Sequence, residues 1–270
     1  MATVRSDGVL IDYEILNPTG KGIPLFFISG LGGVRNSWEK QLEPFMSRGP
    51  VILHDHRGTG KSEKPSGVYS VGKMADDIIS IMDDLSIEKA HMVGTSTGGA
   101  IIQILCIKFG NRVQSGVIAS SWPKSDPYFI RQFEVRKEIL LNMGWETHNR
   151  LSSFTLYSPE FFSKNYTKIS DTEKKQLANM PPKEIMAERI DCIIEHDQLE
   201  KLPEIKTPVL VLVGREDFVT PVYYSEKIAS LIPDSEFKIF KKGGHFIYLT
   251  YPNEFNSTVL DFIKRNENFE

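Results

Sequence analysis

Residues 90–105 read Ala90-His91-Met92-Val93-Gly94-Thr95-Ser96-Thr97-Gly98-Gly99-Ala100-Ile101-Ile102-Gln103-Ile104-Leu105. A short apolar run, a Gly-x-Ser-x-Gly turn and a helical apolar stretch follow one another without a break. The pentamer alone is a weak signal, since chance produces it in about one chain in ten of this length. Its setting strengthens it, because strand, sharp turn and helix form the context that exposes such a serine for nucleophilic attack. Gly94 and Gly98 admit a strained turn, where larger side chains would collide with the strand and helix being joined. A helix beginning just beyond Ser96 favours negative charge developing beside its N-terminus.

Working outward, residues 24–28, 51–54, 116–119 and 208–213 are short apolar runs rich in β-branched or aromatic residues and bounded by Gly, Pro or charge. Each predicts a buried strand. Residues 9–15 and 237–240 alternate more and predict strands nearer an edge. Between them, residues 74–85, 100–109, 223–231 and 253–264 carry helical spacing. This alternation predicts an α/β fold: a mainly parallel central sheet with helices on both faces. Residues 123–206 break the rhythm, with helical pattern at 129–143, 146–154 and 183–194 and no convincing strand. The expected organisation is therefore a core of residues 1–122 and 207–270 with an all-helical cap, 123–206, inserted in it.

A serine hydroxyl is a poor nucleophile until a base takes its proton. In this architecture the partners follow in the order Ser, Asp or Glu, then His. The chain has six histidines, and His245 alone lies late, after a predicted strand, in the loop Gly243-Gly244-His245-Phe246. Asp217 sits at the C-terminal end of the 208–213 strand, where α/β sites gather. It is the expected orienting acid, with Glu216 and then Asp126 as rivals. The expected oxyanion donors are the backbone N–H groups of Thr97 and Leu31, the latter in Ser29-Gly30-Leu31-Gly32-Gly33. Gly30, Trp122 and Phe246 are the candidate substrate-binding residues. Trp122 is favoured over Phe129, Phe133 and Trp145 because it follows a strand end near the site.

Composition narrows the function further. The 270 residues are 40% hydrophobic and 25% charged with net charge -3, ordinary for a globular domain and without the basic stripe that nucleic-acid binding needs. No run approaches the ~18 apolar residues of a membrane span. The first residues lack the apolar stretch of a signal peptide. Cys106 and Cys192 read as free buried thiols, consistent with a reducing cytoplasm. Gly58-Thr59-Gly60-Lys61-Ser62 imitates a phosphate loop, but Asp55 stands where the pattern needs its first glycine, and Glu63-Lys64-Pro65 starts no helix. His54 and His56 lack an acidic or Cys partner at metal-site spacing and read as structural or surface residues. Glu195-His196-Asp197 reads as a solvated helix end.

With these residues in place, the chain resembles the α/β-hydrolase superfamily along nearly its whole length. His54-Asp55-His56-Arg57-Gly58-Thr59-Gly60-Lys61-Ser62 is similar to that superfamily's Asp-x-Arg-Gly-x-Gly-x-Ser turn. Residues 28–33 with Trp38, the Arg57-Gly58-Thr59-Gly60 turn, and Phe133-Glu134-Val135-Arg136 most resemble the 3-oxoadipate enol-lactonase and aminoacrylate-hydrolase-like group. Ser29 departs from that pattern, in which many members have His, and Thr95 and Thr97 stand where many have bulkier residues. The expected activity is hydrolysis of a small carboxylic ester or lactone in an enclosed pocket, without metal or organic cofactor, by a monomer or homodimer. Amide, thioester or carbon–carbon hydrolysis on the same triad is the alternative, as is a ligand-binding receptor without turnover.

Overall fold

The computed structural model describes residues 2–268. Asp7 and Gly8 both adopt positive φ, 46° and 80°, and reverse the chain between β1 (Ala2–Ser6) and β2 (Val9–Leu16). An Asp-Gly pair suits such a turn because its twist matches that of the paired strands. The hairpin supplies an edge strand, β1, absent from the sequence expectation. Residues 9–15, expected nearer an edge than the core strands, form β2, second from the edge between β1 and β4 (Val51–His54). Only Ser6 of β1 is buried, so that strand carries none of the apolar signal by which strands are recognised.

The remaining strands are β3 (Leu25–Ile28), β5 (Ala90–Thr95), β6 (Val113–Ala119), β7 (Val209–Gly214) and β8 (Glu236–Phe240). They form one eight-stranded sheet in the order β1-β2-β4-β3-β5-β6-β7-β8. Pairing is antiparallel for β1 with β2 and β2 with β4, and parallel from β4 through β8. The expected mainly parallel sheet is therefore present. All residues of β3 and β5–β7 are buried, as a sheet covered on both faces requires. The parallel register sets Ile28 beside Gly94 and Thr95 beside Ala119, so adjacent strands end at one level and their following loops converge.

Two apolar layers enclose the sheet. On one face, α2 (Val71–Asp84), α3 (Thr97–Lys108) and α8 (Val222–Leu231) bury Met74, Ile78, Ile101, Leu105 and Ile228. Helix α3 is buried continuously from Thr97 to Cys106, the condition of a helix apolar all round. On the other face, α1 (Glu39–Met46), α9 (Ile247–Thr250) and α10 (Pro252–Arg265) pack around Trp38, Phe45, Phe255 and Phe262. Sequence reading did not anticipate α1, which buries only Gln41 and Phe45 and contains Pro44. Both cysteines are buried and free, and burial pushes each thiol up to about 12.

Between β6 and β7 lie α4 (Pro127–Leu156), α5 (Pro159–Lys164), α6 (Tyr166–Leu177) and α7 (Lys183–Ile194), with no strand among the described residues. The long helix α4 breaks at Gly144 (φ 80°, ψ −178°), between the two helical segments that the spacing predicts. No helix among the described residues is long and apolar enough to cross a membrane.

The phosphate-loop look-alike folds around a carboxylate. Asp55 accepts from the backbone N–H groups of Arg35 and Lys61, so this turn already directs amides at an anion of its own. Arg57 forms a fully buried two-pronged pair with Asp77 of α2, Nε to Oδ2 at 2.8 Å and Nη2 to Oδ1 at 2.6 Å. His54 and His56 are buried rather than exposed, joined at 3.2 Å, and the second ring contacts the Ser29 carbonyl at 2.9 Å. The solvated reading of His196 fails. Glu195 and Asp197 are exposed, but His196 is turned inward at 5% exposure, 5.5 Å edge-on to Trp122. The next residue, Asp197, is bridged antiparallel to Lys124, and the neighbouring ring lies on the interior side.

Candidate active site

Five loops meet above the C-terminal ends of β3, β5, β6, β7 and β8. Ser96 occupies the turn between β5 and α3 with φ 56° and ψ −117°, a backbone state that costs about 1–3 kcal/mol for a non-glycine residue. Three hydrogen bonds hold it. Its N–H donates to Ala119 O at 2.8 Å, and its carbonyl accepts from Ala100 N at 3.1 Å and Ser121 Oγ at 2.9 Å. The glycines around it answer to space. A Cβ at Gly98 would drive into the Ile28 carbonyl, and one at Gly94 would meet Gly98 backbone at 2.5 Å.

Loop 29–33 passes directly against this turn. A Cβ on Gly30 would lie 3.2 Å from Ser96 Cβ and 3.8 Å from its Oγ, so the backbone leading to Leu31 borders the hydroxyl. Thr97 is the first residue of α3. The loop is anchored from three sides. Trp38 Nε1 donates to Ser29 Oγ at 3.0 Å, His56 contacts Ser29 O, and Arg189 Nη2 of α7 donates to Leu31 O at 2.6 Å. Arg189 also donates to Arg57 O. It is fully buried, and that burial pulls its pKa below the ordinary arginine value.

Asp217 and His245 come together as the sequence predicts. His245 Nδ1 lies 2.9 Å from Asp217 Oδ2 and 3.0 Å from Oδ1. Ionised carboxylate oxygens only accept, so the proton belongs on Nδ1 and Nε2 keeps a free lone pair. Asp217 Oδ1 further accepts from Val219 N and Thr220 N, both at 2.9 Å, and Oδ2 accepts from Thr220 Oγ1 at 3.0 Å. His245 N donates to Leu156 O at 2.9 Å, tying the histidine loop to the end of α4. Ser96, Asp217 and His245 are 9%, 5% and 2% exposed.

The rival acids are engaged elsewhere. Glu216 accepts from Gly243 N at 2.9 Å and so braces the histidine loop. Asp126 caps α4 through Phe129 N and accepts from the hydroxyls of Tyr223 and Tyr224. Trp122 has no exposed surface, and its ring stacks on Phe129 at 4.4 Å. Phe246 is half-buried and meets Tyr157 edge-on at 5.5 Å. Trp145 lies farther along α4, its Nε1 donating to Pro181 O at 3.0 Å. Thr220, Arg189 and Leu156 escaped sequence reading. Thr220 has a local signal, since Asp217-x-x-Thr220 before Pro221 is a spacing at which an aspartate bonds the amides ahead of it. Arg189 and the Leu156 carbonyl have none, because their contacts join distant segments. Among the described residues no cluster of three or more His, Cys, Asp or Glu side chains is arranged to hold a metal ion.

Comparison with known proteins gives concordant matches. The family described as "alpha/beta hydrolase fold" matches residues 23–252. The "Putative carbamate hydrolase RutD" of Caulobacter segnis is 32% identical over 266 residues, covering 98% of this chain and 99% of that protein. Among solved structures, the enol-lactonase of Burkholderia xenovorans LB400 superposes with a TM-score of 0.89 at 20% identity, covering 97% of this chain and 100% of that one. Est816, described as an N-acyl homoserine lactone degrading enzyme, superposes with a TM-score of 0.83 at 27% identity, over 97% of this chain and 100% of that one.

Proposed function

The chain belongs to the α/β-hydrolase fold family, and from that premise we propose that it is a serine hydrolase acting on a small carboxylic ester or lactone. The observations carrying this reading are the His245–Asp217 contact, with Val219 N, Thr220 N and the Thr220 hydroxyl bracing the carboxylate, and the strained Ser96 turn. His245 Nε2 takes the proton as Ser96 Oγ attacks the substrate carbonyl. Asp217 keeps the imidazole in the accepting tautomer and stabilises the imidazolium that forms. The N–H groups of Leu31 and Thr97 receive the oxyanion, and losing one such donor typically costs about 2.7–4 kcal/mol. His245 then protonates the leaving group, and water that it activates cleaves the acyl-enzyme. Gly30 borders Ser96 and Phe246 adjoins His245. The protein works as a monomer or homodimer in the cytoplasm.

A second reading, cleavage of a carbamate or amide bond on the same residues, draws support from the name borne by relatives about one-third identical. One panel separates the two: p-nitrophenyl esters of short to medium length, simple lactones and N-substituted carbamates, each with wild type and Ser96→Ala. Ester or lactone turnover lost in Ser96→Ala supports the first reading. Turnover restricted to carbamates moves the assignment to the second. Turnover that survives Ser96→Ala overturns both.

A further inference from the structure

Arg189 stands in the middle of α7 and has no exposed surface. Its guanidinium reaches out of the helical insertion to two backbone carbonyls of the sheet-bearing core. Nη1 donates to Arg57 O, after β4, and Nη2 donates to Leu31 O at 2.6 Å, after β3. Among the described residues no Asp or Glu forms an ion pair with it, and no other donor reaches either carbonyl. The stem passes through a gap kept open by a glycine, since a Cβ at Gly58 would lie 3.0 Å from Arg189 Cδ. Burying a cation and fixing a long side chain are both costly, and a neutral side chain could serve one carbonyl at lower cost. What the planar fork adds is reach to two acceptors on separate loops from one helix position.

The two acceptors differ in kind. Arg57 belongs to a rigid turn, because its own side chain is locked to Asp77 of α2 at full burial. Leu31 belongs to a glycine turn. Gly33 N–H donates to Gly30 O at 3.1 Å, which leaves Leu31 and Gly32 as the central pair. That bond holds the Gly30–Leu31 peptide plane, which carries the Leu31 N–H. The next plane, Leu31–Gly32, carries the Leu31 carbonyl and has no partner within the turn. Glycine leaves both signs of φ open at Gly32, so this plane could turn over at little steric cost. Neither Leu31 nor Gly32 has a positive φ, and the Arg189 contact fixes that choice. Both planes meeting at Leu31 are thus held, one by the turn and one by α7.

We propose that Arg189 is a positioning residue for the reaction: by tying the Leu31–Gly32 peptide to the rigid Arg57 turn, it holds the Leu31 N–H in line with the developing oxyanion, so the oxyanion hole is complete only with α7 seated on the core. This rests on the Ser96-centred hydrolase reading with Leu31 as an oxyanion donor. The consequence is selective. A ground-state carbonyl tolerates a loosened donor, whereas the tetrahedral oxyanion does not. Loss of Arg189 therefore falls on kcat rather than on KM.

The test compares wild type with Arg189→Gln, on protein whose melting curve shows it folded, using p-nitrophenyl butyrate and two ketones. Trifluoromethyl phenethyl ketone takes Ser96 Oγ at its carbonyl carbon. The Oγ proton passes to His245, and the carbonyl oxygen becomes the hemiketal oxyanion. Methyl phenethyl ketone has the same skeleton and binds as the free ketone. In Arg189→Gln, kcat falls by about 10- to 100-fold, short of the loss of a whole donor, while KM stays within about threefold. Inhibition by the trifluoromethyl ketone weakens by the factor lost from kcat/KM, and inhibition by the methyl ketone does not. Arg189→Lys, which keeps a cation but a single point donor, recovers part of both losses, and it supplies the same comparison where the Gln variant does not fold. A folded variant with kcat retained and KM raised, or with both ketones weakened equally, overturns the proposal and leaves the hydrolase reading standing. Absence of Ser96-dependent turnover in wild type overturns both.

Discussion

Replacing Asp217 with Asn tests the arrangement at its most constrained point. The carboxylate takes five contacts: two backbone N–H groups at Oδ1, the Thr220 hydroxyl at Oδ2, and the His245 ring at both oxygens, 3.0 Å from Oδ1 and 2.9 Å from Oδ2. An amide has one accepting end and one donating end. If its oxygen keeps Val219 N and Thr220 N, its NH2 takes the position nearer His245 Nδ1, which favours an accepting Nδ1 with the ring proton on Nε2. That tautomer cannot take the Ser96 proton. If the amide turns over, its NH2 opposes two buried N–H groups, each left unpaired at about 1–3 kcal/mol. The productive orientation is therefore disfavoured by about 2–6 kcal/mol, or roughly 30-fold to 10^4-fold in rate at about 1.36 kcal/mol per decade. Lost imidazolium stabilisation adds to this, so the expected fall in kcat lies near the upper end, as for Asp-to-Asn in other Ser-His-Asp sites. The assay is ester turnover on protein whose melting curve overlays wild type, since the favoured orientation keeps both backbone contacts. A folded Asp217→Asn within tenfold of wild type would show that the carboxylate does not set the His245 tautomer.

Further predictions concern packing, the buried pair and pH. Gly98→Ala forces a methyl into the Ile28 carbonyl, so thermal melting shows a Tm lower by about 2–12 °C, from ~1–3 kcal/mol of overpacking in a chain of this size. Gly30→Ala has its tightest contact at Ser96 Cβ, 3.2 Å away, so activity falls while Tm stays within a few degrees, which paired assays resolve. Asp77→Asn leaves Arg57 charged and unpaired at full burial and destabilises by about 3–5 kcal/mol in chemical denaturation. Burial pulls His54 and His91 down to about 3, and His148 and His196 down to about 4. Their folded pKa values lie below the unfolded ~6.5, so the unfolded chain binds more protons between those limits. Stability is full above pH ~6.5 and declines as pH falls toward 4. Urea midpoints over that range follow the decline, and His196→Gln flattens it.

What could be read from sequence was local, and what could not was tertiary. Strand β5, the Ser96 turn and helix α3 are contiguous, so apolar pattern and glycine spacing revealed them together. Asp217 and His245 were legible because each follows its own strand closely, and parallel strands carry such loops to one end of the sheet. Strand β1 stayed hidden because it buries a single residue, although Asp7-Gly8 marked its turn. The charged, exposed neighbours of His196 suggest a solvated ring, whereas the bridge from Asp197 to Lys124, two residues from Trp122, brings the ring against that indole. Arg189 looks like an ordinary helix charge until α7 is packed. Only then does it reach the Leu31 carbonyl.

Covalent chemistry at Ser96 is best tested by acid-quench mass spectrometry during turnover of a p-nitrophenyl ester. The expected result is an acyl adduct on wild-type protein, mapped to the peptide containing Ser96 and absent from Ser96→Ala together with turnover. Steady hydrolysis by Ser96→Ala, or an adduct on another residue, would contradict it.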